Sequence, residues 1–180
     1  MGGDIEKKNA GRVEDFESVV AEYESQLLRY ATRLLGNNDA AQDVVQDAFI
    51  RLYRTWEDEM LAGPKISSWL YRVVHNCAVD MMRKLHRRQL LHLKHAEEKG
   101  ENVEMPRLTA KPEVSEAAEK AANALKKLTD REKQLVILKI YEDKSYREIS
   151  EITGLTAGNV GYILHYAMKK LAEAINGGEQ

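Results

Sequence analysis

TDREKQLVILKIYEDKSYREISEITGLTAGNVGYILHYAMKKL, residues 129–171, decides the fold. Thr129-x-x-Glu132 and Ser145-x-x-Glu148 both have the spacing of a capping box, in which hydroxyl and carboxylate each satisfy a free backbone N–H at a helix start. The first helix carries Leu135, Leu138 and Tyr141 at inward-facing spacing. The second is short: Ile149 and Ile152 face in, Ser150 is small enough for another helix to approach, and Gly154 supplies the φ > 0 turn. Leu155 plugs the junction and Thr156 caps the next helix. Val160, Ile163 or Leu164, Ala167 and Leu171 continue the core. Short helix, tight turn, longer helix is a helix-turn-helix.

Upstream, the period stays helical. Phe16, Val20, Tyr23, Leu27, Ala31 and Leu34 stack one apolar face, and Gly36 ends it. A second helix is expected from Asn38 or Asp39, burying Val45, Ala48, Phe49, Leu52 and Trp56 beneath an outer face of Gln42, Asp43, Gln46, Asp47, Arg51 and Arg54. "EDEMLAGPKIS" breaks the period with Gly63 and Pro64. A long helix follows from about Ser67, with Leu70, Val73, Val74, Cys77, Met81 and Leu85 inside. Trp69 is assigned to the core, and Tyr71 to core or contact. The expected class is all-α: two small helical domains joined by a flexible linker, the C-terminal one a helix-turn-helix. Their bounds are a tail at 1–12, a domain at 13–95, a linker at 96–114 where periodicity gives way to Gly, Pro and charge, a domain at 115–175 and a tail at 176–180.

Composition excludes several classes. The 180 residues are 43% hydrophobic and 31% charged, with no apolar run near the roughly 20 residues of a membrane span. "MGGDIEKKNAGR" lacks a secretory apolar stretch. A lone Cys77 fits a reducing compartment, so a soluble cytoplasmic protein without membrane insertion is expected. The net charge of −2 hides a polarity, with residues 1–64 at −6, 65–99 at +5 and 100–180 at −1. A local basic stretch, rather than the mean, governs polyanion binding. Gly-rich phosphate loop, nucleophile elbow and His-Glu-x-x-His are all lacking, so no catalytic residue, enzyme activity or cofactor is expected. His75, Cys77, His86, His92 and His95 have no recognisable ligand spacing, so no metal is expected either.

The stretch from Leu128 to Leu171 resembles the promoter-reading C-terminal domain of sigma factors of the extracytoplasmic-function type, in the sigma-70 family. "YESQLLRYATRLLGNNDAAQDVVQDAFIRLYRTW" and "SSWLYRVVHNCAVDMMRKLHRR" resemble that family's polymerase-binding and promoter-melting domain. The resemblance covers about residues 13–90 and 115–175, in the family's order. It implies that core RNA polymerase and promoter DNA are partners, with an anti-sigma protein as a further expected one. It also implies a polymerase contact through Asp43, Gln46, Asp47, Phe49, Arg51 and Leu52. The minus-ten contact falls to Lys65, Ser67, Ser68, Arg72, His75, Asn76, Arg83, Lys84, Arg87 and Arg88, the loop before the helix holding an unstacked base. The minus-thirty-five contact falls to Arg147, Thr156, Ala157, Gly158, Asn159, Gly161, Tyr162, His165, Tyr166 and Lys169.

The last helix departs from the family's habit, because residues 156–168 contain no Lys or Arg. Two glycines would let its backbone approach DNA, and Asn159, Tyr162, His165 and Tyr166 can hydrogen-bond phosphates or base edges. The expected contact is weaker, less salt-dependent and more shape-driven than the family norm. An alternative is a stand-alone helix-turn-helix regulator with an N-terminal sensing or dimerisation domain, and a third is a module that binds only protein. The basic stretch at 65–88 has no natural role in the regulator, and in the protein-binding module its removal should leave activity untouched.

Overall fold

The computed structural model describes residues 2–55, 64–99 and 124–176, with side chains at 13–55, 65–91 and 124–175. Trp56, the break before Pro64, the side chains of His92 and His95, most of the expected linker and the last residues lie outside that description. Among the described residues there is no strand. The chain divides into two compact units, Met1–His86 and Arg87–Gln180.

In the first unit, α1 (Gly2–Leu35) ends where Gly36 takes φ 65°, and Asn37 caps α2 (Asn38–Arg54) by accepting from the Ala40 N–H at 2.9 Å. Edge-on aromatic contacts join these helices, Phe16 to Tyr53 at 5.2 Å and to Phe49 at 6.4 Å. Helix α3 (Pro64–Lys99), whose first 23 residues belong to this unit, starts three residues before the expected Ser67. Proline suits a first turn because it has no N–H to leave unpaired. The buried residues are Val19, Leu27, Tyr30 and Ala31 from α1, Ala41 to Leu52 at helical spacing from α2, and Ile66, Leu70, Tyr71, Val74, His75, Ala78 and Val79 from α3.

Several expectations shift. Residues 2–12 are helical rather than a tail, since Glu, Lys and Ala prolong a helix at little cost once a packed segment has nucleated it. Tyr71 is buried against Tyr30, ring centroids 5.3 Å apart, whereas Trp69 is only half-buried. Cys77 is half-buried, which pushes its thiol above the ordinary value. Leu85 is 44% exposed: among the described side chains of α3 none beyond Val79 is buried, so the inward phase outruns its packing partners. The helix continues to Lys99, past the expected linker start at 96.

In the second unit, Ala124 and Leu128 are buried ahead of α4 (Asp130–Val136), which runs into a π-helical turn at Ile137–Tyr141. Then come α5 (Tyr146–Thr153) and α6 (Ala157–Asn176). Both expected capping boxes are formed. Gly154 sits at φ 72° between α5 and α6, and Ser150 Oγ donates to the Leu155 carbonyl at 2.6 Å, so the small side chain also closes the turn. Leu135, Leu138, Ile149, Ile152, Val160, Leu164 and Ala167 form the core; of the pair left open, Leu164 is buried and Ile163 half-buried. Tyr141, expected inside, is exposed. The π turn's extra residue rotates the chain after Leu138, so the α-helical step from 138 to 141 no longer returns to the core.

Candidate polymerase and promoter interfaces

On α2, Asp43, Gln46, Asp47 and Arg54 are exposed and share one face at steps of three and four. Ile50 lies in the middle of that face and is 41% exposed. The apolar period placed Ile50 off the buried stripe, yet a branched aliphatic at the centre of a polar face is itself a signal of contact, overlooked in the sequence. Beside it, a groove of about 640 Å³ between α1 and α2 is lined by Phe16, Val20, Val45, Phe49, Ile50 and Tyr53, with Gln42 and Gln46 at its border. Arg51 is also exposed, and its charge, like that of Asp47 one turn before it, acts on Cys77 of α3, so these two stand on the flank of the face nearer α3. Leu52 is fully buried and belongs to the packing of α2 on its neighbours, while Phe49, nearly buried, reaches the surface only along that groove.

On α3, Lys65, Arg72, Asn76, Arg83 and Arg87 recur at steps of seven and four, which is one face of a helix. All five are exposed, with Lys84 and Arg88 beside them. Ser68 borders this stripe. Asp80 interrupts it and accepts from Arg83 Nη1 at 3.4 Å. Two expected readers fall elsewhere. Ser67 is half-buried beside Tyr23 of α1. His75 is 2% exposed, and its Nδ1 lies 2.8 Å from the Tyr30 hydroxyl. Its phase, one residue before Asn76, turns it into the core, and an α1 tyrosine supplies the partner that a buried imidazole requires. Since α3 begins at Pro64, Ser67 and Ser68 stand on its first turns rather than in a loop.

On α6, Thr156 Oγ1 accepts from the Asn159 N–H at 3.2 Å, which caps the helix as expected. Thr156, Ala157, Gly158, Asn159, Tyr162, His165, Tyr166 and Lys169 are all exposed, and Arg147 joins them from α5. Gly161 differs. A Cβ there would lie 3.4 Å from Cε2 of Tyr146, in ordinary contact with an α5 ring, while Gly158 faces open space. Lys139 Nζ sits 5.9 Å from the centre of the Tyr146 ring. The Tyr162 and Tyr166 rings meet at a tilt, centroids 4.7 Å apart. The neighbouring Tyr166 hydroxyl raises the Tyr162 hydroxyl above its ordinary pKa.

The cations near this surface have acidic partners. Arg147 Nε is 3.3 Å from Glu151, Lys169 Nζ 4.0 Å from Glu173, and Lys170 Nζ 2.6 Å from Glu132 Oε1. Glu132 thereby does two jobs. Its other oxygen, Oε2, accepts from the Thr129 N–H at 2.8 Å and from the Thr129 hydroxyl at 3.0 Å. The Lys170 bond, opposed by burial and helped by Thr129, holds this carboxyl below its ordinary pKa. The start of α4 and the flank of α6 are therefore pinned by one carboxylate.

A helical unit with a cationic stripe and a separate helix-turn-helix unit define a two-domain, DNA-directed helical protein. Residues 19–88 match the Sigma-70 region 2 family, and residues 118–171 the Sigma-70, region 4 family. The "ECF RNA polymerase sigma factor SigW" of Bacillus subtilis (strain 168) is 28% identical over 178 residues, covering 95% of this chain and 94% of that one. The "RNA polymerase sigma-E factor" of Streptomyces coelicolor is 30% identical over 174 residues, covering 92% and 88%. The sigma factor RpoE, solved with the anti-sigma factor NepR from Bartonella quintana, shares the fold at TM-score 0.65 and 22% identity, over 91% of this chain and 98% of that one. CnrH, solved with the cytosolic domain of CnrY, does so at TM-score 0.60 and 22% identity, over 92% and 89%. The chain belongs to the extracytoplasmic-function type of the sigma-70 family. Among the described residues no helix is long and apolar enough to cross a membrane.

Proposed function

We propose that this sigma factor binds core RNA polymerase and directs it to specific promoters, acting in the cytoplasm as a dissociable, non-enzymatic subunit while the polymerase performs the chemistry. The observation that carries this reading is the occurrence of both family regions, in order, on one chain. Residues 13–95 are assigned to polymerase binding and minus-ten melting, 96–114 to a linker and 115–175 to minus-thirty-five binding. The α2 face, with Asp43, Gln46 and Asp47 around Ile50, docks on polymerase, as a polar rim around an apolar centre favours. The α3 stripe holds promoter phosphates, each neutralised phosphate releasing counterions. An anti-sigma protein is a further partner, by analogy with the complexes of the structural relatives.

The test is reconstitution with core polymerase. The full chain should co-purify with core and give promoter-specific transcripts. Replacing Arg83, Lys84, Arg87 and Arg88 together by alanine should abolish promoter opening while core binding persists. Ile50→Glu should weaken core binding at least tenfold, the cost of placing a charge at an interface centre. A chain that neither binds core nor redirects it would overturn the reading.

A further inference from the structure

Tyr162 and Tyr166 lie one helical turn apart on α6, about 6 Å along its axis, a little under two base steps of B-DNA. Their ring centroids are 4.7 Å apart with planes 54° off parallel, and the His165 ring meets Tyr166 edge-on at 5.4 Å. Tyr162 is 65% exposed and Tyr166 is exposed beside it, a contiguous aromatic surface of the sort that marks a contact site rather than a stray apolar residue.

The flanking cations reinforce this character. Arg147 and Lys169 face Glu151 and Glu173. Guanine edges are read best by a bidentate Arg or a Lys, and residues 156–168 supply neither. The apolar feature that the major groove does offer is the C5 methyl of thymine.

We propose that the Tyr162–Tyr166 pair is a specificity determinant that selects thymine methyl groups at two neighbouring positions of the upstream promoter element, one against each ring. The proposal rests on the sigma-factor reading given above. Each methyl buried between ring and base contributes about fourfold in binding.

Holoenzyme assembled from the full chain and core polymerase would first select from a promoter library randomised over the upstream element. The selected promoter is then remade with deoxyuridine in place of each upstream thymine, which deletes a methyl and leaves every hydrogen-bonding group. Binding should weaken about fourfold at each of two neighbouring positions. The double variant Tyr162→Phe, Tyr166→Phe keeps the rings and should keep this sensitivity, whereas the double alanine variant should lose it together with the thymine preference in the library. Equal binding to thymine and uracil templates by the unaltered holoenzyme would overturn the proposal, and so would loss of the sensitivity in the phenylalanine pair, which would assign the selection to the hydroxyls. Failure to form a holoenzyme, read by co-purification, would instead overturn the underlying sigma reading and this inference with it.

Discussion

His75 shows what a single position can hide. In sequence it stands beside Asn76 in a basic helix, where an imidazole reads naturally as a nucleic-acid contact. One residue is 100° of helix, enough to carry His75 into the core while Asn76 stays on the stripe. Its partner, Tyr30, lies 45 residues away, so no local pattern announced the pairing. Tyr30→Phe removes the hydroxyl from this buried contact and should lower stability by about 1 kcal/mol, read as a lower denaturant midpoint with an unchanged slope. Gly161 carries the same lesson. Its smallness was legible, but the Tyr146 ring that a side chain there would touch, from the preceding helix, is a tertiary fact.

At the scale of elements, the helix starts were the most legible features, because a capping box is written within four residues and both boxes formed as spelled. The second role of Glu132 was not, since Lys170 is 38 residues further on. Glu132→Gln weakens the cap and the bond to Lys170 together and should cost about 1.5 kcal/mol. Hydrogen bonds from Lys170 and Thr129 lower the pKa of Glu132, and those from the Ser145 hydroxyl and N–H lower that of Glu148. A carboxyl whose folded pKa is depressed gives stability that is present above its unfolded value, about 4.3, and lost as pH falls through the folded value. Melting temperature measured from pH 7 down to pH 3 should therefore fall, and the fall should be smaller for Glu132→Gln, which starts lower. An identical acid response in both proteins would contradict the assignment. The apolar period also misplaced Tyr141 and Leu85, for different reasons. A π turn changes the phase, and a helix can keep its phase after its packing partners have ended.

For the whole molecule, the order of two helical domains was readable because each carries its own pattern. The distribution of charge between them has the larger consequence. The α3 stripe is cationic with one acidic interruption, while Arg147, Lys169 and Lys170 around α6 face carboxylates. Salt dependence of promoter binding should follow the stripe. Replacing Arg83, Lys84, Arg87 and Arg88 should reduce the slope of log K against log salt by about 3 to 4, at roughly 0.9 per phosphate contact. Lys169→Ala should reduce it by at most about 1, and a larger drop would place the charge-driven contact on α6 instead.

The π turn at Ile137–Tyr141 also bears on how this chain tolerates change in length. A π turn holds one residue more than the α-helix it replaces, and the surplus is absorbed as a bulge that exposes Ile140 and Tyr141. Losing one residue from an ordinary helix swings everything downstream by 100°. Losing one here would flatten the bulge and leave the capped start of α4 and the helix-turn-helix in their present phase. Along a chain otherwise locked to helical register, the segment 137–141 is therefore an expansion joint, a place where an insertion or deletion can accumulate without turning the DNA-facing surface away.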